Sequence, residues 1–381
     1  MSSPTTGSGG PAFPVSPRPW AGALSFLGLA VAGLIVLGTI EARSGPVPFS
    51  LGLLLALLPV PLLAFGVLGL DRYEPEPVRL LLFAFVWGAT AAALVALLLN
   101  TADLLALRAL LDNSTANYLS ASLGAPVIEE CAKGAVILGL LRRRHHELDG
   151  PIDGIVYAGL VGLGFAMTEN VLYYSAAAMH SGVHGLLGTF LLRGVISPFL
   201  HPMFTAATGI GLGYAAIARS RAGRVVPPVI GLAVAMLLHG IWNAAATEHH
   251  TVIVYLSVML PVFVAILVVA SVEGRRMQSL LNRVLPTYAR AGWLRPPDVV
   301  MLTSIGARHR ARQAVRSVAG RRAERGMRDF QAAATELALL HDRAERRQVE
   351  PAQFTIRQQA LLRQLVMARD SFSGPAPTGA R

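Results

Sequence analysis

Charge, cysteine and lysine are all scarce in this chain. Asp, Glu, Lys and Arg make up 14% of its 381 residues and hydrophobic residues 53%, against about 25% charged in soluble domains. That balance excludes an ordinary soluble domain and points to a membrane protein. The single cysteine, Cys131, excludes an intrachain disulfide and a paired-cysteine metal site. It does not suit a nucleophile either. It lies between Glu130 and Lys133, and a thiolate is disfavoured beside two carboxylates, so a packing role is expected. The N-terminus lacks the charged start and short apolar core of a signal peptide. It is rich in Pro, Gly and Ser, and residues 1–20 read as a disordered cytoplasmic leader.

What charge there is sits unevenly. The formal charge is +11. Residues 275–381 hold 20 Arg against 8 Asp and Glu, a net of +12, which leaves −1 for the rest. A basic segment beside a membrane domain reads as cytoplasmic and close to anionic headgroups. No nucleic-acid motif accompanies the arginines, so the lipid bilayer, and not nucleic acid, is the expected partner.

A membrane-spanning helix needs about 20 mainly apolar residues. Eight runs qualify: Ala21–Ile40, Ser50–Leu70, Val78–Leu99, Leu119–Leu140, Ile152–Ser175, Pro198–Ala218, Val225–Ala246 and Thr251–Val272. The apolar segment Leu186–Ile196, which carries Arg193 and ends at helix-breaking Pro198, reads as an interfacial lead-in or a kinked extension of the sixth span. The expected fold is therefore all-α and polytopic. About eight helices form a bundle over residues 21–272. A basic, amphipathic helical region over 273–370 follows, notably Ala311–Arg347 and Phe354–Ala368, read as a small hairpin against the membrane. Residues 371–381 read as a disordered tail. Arginines flank the second, fourth, sixth and eighth spans: Arg72 and Arg79; Arg142, Arg143 and Arg144; Arg219, Arg221 and Arg224; Arg275 and Arg276. Alternating spans put all four groups on one side, so both termini are expected in the cytoplasm of a multi-pass protein of the bacterial cell membrane.

Several polar residues interrupt the spans. Glu129, Glu130 and Lys133, the only lysine in the chain, lie within the fourth. Each buried charge costs roughly 2.5–3.5 kcal/mol on insertion scales unless it is paired or wet. Lys133 is i+4 from Glu129 and i+3 from Glu130 and can reach both. Glu169 and Asn170 interrupt the fifth span, His201 the sixth, and His239 and Asn243, on one helix face, the seventh. At a rise of ~1.5 Å per residue, Glu129 lies roughly 15 Å and Glu169 roughly 9 Å from the outer ends of their spans. By the same measure His201, His239 and Asn243 lie about 4–11 Å from theirs. Convergence in the outer half of the bilayer points to one shared site. Taken singly, the residues also admit structural roles: an ion pair for the glutamates and Lys133, an interfacial side chain for His201, interhelical hydrogen bonding for His239 and Asn243.

The run Ala125–Lys133 resembles the EExxK motif of PrsW-type intramembrane proteases. Phe165–Asn170 resembles their FxxxEN motif, and His201 and His239–Asn243 their two later histidine motifs. The stretch Asp71–Pro77 is similar to the family's acidic, proline-rich lead-in to the third span. The likeness covers about residues 51–271. Related CAAX-prenyl endopeptidases and bacteriocin-processing proteins usually have His where Glu169 stands, which favours the PrsW group. The resemblance implies hydrolysis of a peptide bond in a membrane protein, with a single-span anti-sigma factor as the substrate class. In that reading Glu129 or Glu130 is the general base and Glu169 holds the same water. Lys133 keeps a glutamate ionised, and His239 and Asn243 donate to the oxyanion. His201 polarises the water or binds a metal. A metal-independent glutamate mechanism is the preferred form. Zinc held by His201, His239, Glu130 and Glu169 is the alternative, since His/Glu ligation with an open position is what catalytic zinc uses. A proton- or cation-coupled transporter is the competing function. It would spread polar residues along both leaflets, whereas here they gather in one.

The topology has a direct test in a Cys131→Ala background carrying single introduced cysteines. A cysteine at Ser181 should label from outside intact cells, and one at Ser220 only after permeabilisation. The reverse pattern defeats both the orientation and the depth argument.

Overall fold

In a bilayer core every backbone N–H and C=O must find its partner within the protein, which leaves helices as the natural form for long apolar runs. The computed structural model describes residues 19–373 except 72, 74, 75, 144–147, 149, 249 and 347. Among the described residues every regular element is helical. The expected leader up to residue 18, the tail from residue 374, and Arg72 and Arg144 of the orientation argument lie outside them.

Helix α1 spans Pro19–Ser44. The second expected span is broken in two, α2 Pro46–Leu57 and α3 Val60–Leu68, because Pro59 and Pro61 remove consecutive-turn donors in mid-span. The third is α4 Val78–Trp87 and α5 Ala93–Leu110, joined by a π-helical turn over Gly88–Ala92. The fourth starts as α6 Asn113–Leu119, passes a π turn at Ser120–Gly124 and continues as α7 Ala125–Arg143. Then come α8 Pro151–Phe190, a π turn over Leu191–Ile196, α9 Leu200–Ile217 and α10 Arg221–Thr247. A short α11 Thr251–Val254 and a π turn over Tyr255–Met259 lead into α12 Leu260–Arg290.

Six of these segments are long and apolar enough, by length and composition, to cross a membrane. One of the six, Pro151–Ile217, runs for 67 residues and contains both α8 and α9. The segment that carries Glu129, Glu130 and Lys133 is too charged to qualify, yet it is packed inside the bundle, with all three side chains buried. Counting α8 and α9 separately and including α7 returns the eight expected. The Leu186–Ile196 segment is not a helical extension of α9. It lies past a reversal at Gly182, whose φ of 61° and ψ of −153° suit glycine alone, and it ends at the non-helical Ser197.

The centre of the bundle is α8. The apolar window of Pro151–Ile217 is 83% buried, whereas that of Thr251–Arg290 is 6% buried and faces outward. Glycine lets α8 lie against its neighbours. A Cβ on Gly154 would sit 2.0 Å from the Gly209 carbonyl oxygen, and one on Gly209 equally close to that of Gly154. Farther along, Gly162 lies under the His201 carbonyl and Gly164 against that of Phe85. These pairings run α8 antiparallel to α9 and draw their backbones together as small residues do in membranes.

Beyond Val272, α12 continues unbroken, so the expected boundary at 272/273 falls inside a helix. Helices α13 Pro296–Leu302, α14 Ile305–Glu345 and α15 Pro351–Ser373 fold onto its end. They share a core that includes Leu281, Leu285, Phe330, Leu337 and Leu365, so the region is a helical unit with its own interior. Tyr73, from the loop between α3 and α4, is buried in that core. Arg308 fixes it there, donating to the carbonyls of Tyr73 at 2.7 Å and Leu302 at 2.9 Å and to the Thr335 hydroxyl.

Gly209→Val should overpack the α8–α9 contact and cost about 1–3 kcal/mol, read as a lower unfolding midpoint in detergent. Gly188→Val, where a Cβ meets nothing within 4 Å, is the control. Equal effects of the two would mean that the close approach is not what holds the helices.

Candidate active site

Helix α7 presents Glu129, Glu130 and Lys133 to the interior, and neighbouring helices complete their shells. Lys133 is fully buried. Its Nζ donates to Glu130 Oε1 at 2.8 Å, lies 3.5 Å from Glu129 Oε2 and 3.2 Å from His201 Nδ1, and sits 3.9 Å over the Phe165 ring. Glu130 is also fully buried and has both oxygens engaged: Oε1 by Lys133 and by His239 Nδ1 at 3.0 Å, Oε2 by the Thr205 hydroxyl at 3.1 Å. A buried carboxylate with this many donors is a fixed charge.

The two imidazoles meet edge to face with centroids 5.1 Å apart, and Phe204 stacks on His239. Their partners assign the tautomers. An ammonium only donates, so His201 Nδ1 accepts from Lys133. Its Nε2–H then donates to Glu169 Oε2 at 2.6 Å. Against the Glu130 carboxylate, His239 Nδ1 must donate, which leaves Nε2 with a lone pair. That atom faces Glu129 Oε2 at 3.8 Å.

Glu129 accepts from Asn100 Nδ2 at 3.0 Å through Oε1. Its Oε2 is buried, in ion-pair range of Lys133 at 3.5 Å, and without a hydrogen-bond partner among the described residues. Glu129, His201 and His239 each offer one ligand atom, and the three lie within 4.8 Å of one another. Two imidazoles and a carboxylate are a known catalytic zinc set, and an orphaned carboxylate oxygen facing a lone pair is an arrangement that a cation would complete. Glu129 Oε2 and His239 Nε2 fit a metal as they stand, and His201 would join them through Nδ1 by giving up its contact with the Lys133 ammonium while Nε2–H stays on Glu169. The trio differs from the set expected from sequence in holding Glu129 in place of Glu130 and Glu169. Glu130 is spent on Lys133, His239 and Thr205, where it orients the His239 ring as a carboxylate behind a ligating histidine does.

Glu169 has a cationic partner that sequence reasoning missed. Arg193 Nη2 donates to its Oε2 at 2.6 Å, Arg193 Nε to Asn170 Oδ1 at 2.8 Å, and the guanidinium stacks 4.0 Å from the Tyr173 ring. The reversal at Gly182 brings this arginine back over α8. The available signal was a lone arginine in an apolar segment downstream of an unpaired intramembrane glutamate. Asn100 and Thr205 were missed as well, being ordinary residues in membrane helices. Asn243 is not part of the cluster. Its amide donates to the Ala121 carbonyl at 2.9 Å, within the π turn before α7, where the regular helical ladder is interrupted. Cys131 is exposed on the outer side of α7, not packed in the interior.

Residues 76–267, which include every member of the cluster, match the family model of the PrsW family intramembrane metalloproteases. Among curated relatives, Protease PrsW of Geobacillus kaustophilus is 33% identical over 148 residues, 39% of this chain and 59% of the relative. Protease PrsW of Clostridioides difficile is 27% identical over 190 residues, 50% and 76% of the two chains. That of Bacillus subtilis is 28% identical over 197 residues, 51% and 80%. The match thus spans from about three fifths to four fifths of these relatives, and helices α13 to α15 lie outside the family match. No solved structure matches the chain.

Asn243→Ala should cost about 1 kcal/mol of stability, the worth of one hydrogen bond. Arg193→Gln leaves Glu169 without its counter-charge and should cost about 3–5 kcal/mol. Unfolding in detergent checks both, and the reverse order would move Asn243 into the cluster's network and Arg193 out of it.

Proposed function

The chain belongs to the PrsW family of intramembrane metalloproteases, and on that premise we propose that it hydrolyses a peptide bond of a membrane protein at the cluster of Glu129, Glu130, Lys133, Glu169, His201 and His239. One observation carries the reading: Glu129, His201 and His239 converge within 4.8 Å from three helices, beside a carboxylate, Glu169, whose side chain is 17% exposed.

Amide hydrolysis needs an activated water, a stabilised oxyanion and a proton for the leaving amine. A divalent metal such as zinc, held by Glu129, His201 and His239, would supply a Lewis acid that acidifies water and polarises a carbonyl. This donor set is why the reading departs from a metal-free glutamate mechanism. Glu130 and Lys133 act behind it as positioning residues, fixing the His239 ring and neutralising the local charge. Glu169 is anchored through Oε2 by Arg193 and His201, which leaves Oε1 to take a proton from water and return it to the leaving amine. The Arg193 guanidinium, 19% exposed at the cluster's edge, is the donor best placed for an oxyanion.

The chain is a multi-pass membrane protein of a bacterium, and we read both termini as cytoplasmic with the site in the outer half of the bilayer. A single-span substrate cut near its extracytoplasmic side, such as an anti-sigma factor, suits that depth.

The test is cleavage of single-span substrates by the purified chain in detergent, with and without a zinc chelator. Chelation should abolish activity and added zinc restore it. Glu129→Gln, His239→Ala and Glu169→Gln should each lower the rate by about 10²–10⁴ while the protein stays folded. Full activity in chelator, with Glu129→Gln still inactive, would return the site to a glutamate mechanism. Wild-type cleavage by the Glu129→Gln, Glu169→Gln double variant would remove the site altogether.

A further inference from the structure

At the other end of α9 from His201, roughly 24 Å away by helical rise, a cavity of about 1500 Å³ opens between the bundle and the C-terminal helical unit. Eight arginines and four carboxylates line it. Part of this charge is cancelled: Arg276 pairs with Glu273, and Arg283 and Arg346 both pair with Asp342. Arg219, Arg275 and Arg357 make no ion pair with any described residue, and Arg224 spends only its Nε, on the Ala218 carbonyl. Among the described residues, therefore, four guanidinium groups line the cavity without an ion-pair partner, although Asp71 and Asp153 also stand in its wall. Arg219 comes from the α9–α10 connection, Arg224 from the first turn of α10, Arg275 from α12 and Arg357 from α15, so the arrangement is assembled from three separate stretches of the chain.

The cavity lies where the apolar surface of α12 ends. Val264, Leu267, Val268 and Val272 are exposed along that helix, and Arg275 follows within roughly 10 Å of Val268 by helical rise. Ala270, Ser271 and Gly274 form part of the cavity wall, so the lipid-facing side of α12 passes directly into it. An acidic soluble peptide would use the arginines but not the adjoining apolar face. A phospholipid uses both.

We propose that this cavity binds the phosphate of an anionic phospholipid headgroup, with the acyl chains along the exposed face of α12. Guanidinium groups suit the ligand because they bind phosphate oxygens in pairs. Two of the four arginines, Arg275 and Arg357, lie outside the region matched by the family model, so the site depends on the latter part of α12 and on α15, which that match does not reach. Its occupant would bridge the bundle and the C-terminal unit at the headgroup layer. The proposal is independent of the peptide-hydrolysis reading.

The experiment titrates the full chain in neutral detergent with dihexanoyl phosphatidylglycerol or dihexanoyl phosphatidylcholine and follows the unfolding midpoint. Phosphatidylglycerol should raise the midpoint saturably and phosphatidylcholine should not. Each arginine near an anionic surface contributes roughly fivefold in affinity. Arg357→Gln alone should therefore weaken the effect about fivefold, and Arg219→Gln, Arg275→Gln, Arg357→Gln together about a hundredfold. All three side chains are exposed, and an unchanged midpoint in phosphatidylcholine verifies that the variants fold. The control removes Arg321, Arg322 and Arg325, exposed on α14 and away from the cavity. Equal loss in the control would mean diffuse charge attraction and overturn the site. An equal response to inorganic phosphate at matched concentration would overturn the lipid as its ligand.

Discussion

The Lys133 ammonium is the interaction on which the cluster depends. It is the chain's only lysine, fully buried, and within 3.5 Å of two carboxylates and an imidazole nitrogen. Without it, Glu129 and Glu130 would be adjacent acidic groups in an apolar bundle, each costly to ionise and repelling the other. Its effect reaches further than charge balance. As a pure donor it makes His201 Nδ1 an acceptor, which directs the His201 Nε2 proton toward Glu169. As the partner of Glu130 it leaves that carboxylate free only to accept, which turns the His239 lone pair toward Glu129. One ammonium thus sets the hydrogen-bond direction of both imidazoles. An arginine would not reproduce this, since a planar fork of five donors does not fit a point contact shared by two carboxylates and a ring nitrogen.

That network requires four helices to meet within a few ångströms, and glycine makes the approach possible. Gly154 against Gly209 and Gly162 under His201 draw α9 onto α8. The same contacts set the level at which His201 meets Glu169. Gly134 on α7 faces Thr208, where a Cβ would come within 3.3 Å of the threonine methyl. Backbone packing and site geometry are therefore one constraint, because van der Waals contact between helices, not hydrophobic exclusion, holds a bundle together in lipid. The Gly182 reversal adds the fifth element by returning Arg193 to a glutamate two turns past the glycine-rich stretch.

Much of this was legible in the sequence, and the reason is physical. A glutamate or lysine in an apolar run is conspicuous because the bilayer penalises it, so Glu129, Glu130, Lys133 and Glu169 stood out, and the depth of His201 and His239 tied them together. Arg193 did not stand out, because an arginine near a span end is the usual signature of a flanking loop. Asn243 shares a helix face with His239, which is correct as periodicity. One turn of displacement nevertheless gives its amide to the Ala121 carbonyl, and the π turn there has no sequence signature that composition reveals. Thr205 and Asn100 are small polar residues of a kind common in membrane helices, and only their contacts mark them out. The amphipathic pattern of the C-terminal region was readable too. Its attachment to the bundle was not, since Tyr73 and Arg308 are 235 residues apart and neither residue type announces a partner.

That attachment bears on how the parts of the chain work as one molecule. Arg308 is buried and donates to three backbone carbonyls, two of them at 2.9 Å or less, and one of these belongs to Tyr73 in the loop entering α4. The Tyr73 hydroxyl donates to the Thr303 carbonyl in return. Three residues on, Glu76 accepts from Tyr157 of α8 at 2.7 Å. The loop is thus held on one side by the C-terminal unit and on the other by the helix that carries Glu169. The basic helices beyond the family match are therefore tied by hydrogen bonds to the loop that enters α4, and not joined to the bundle through α12 alone.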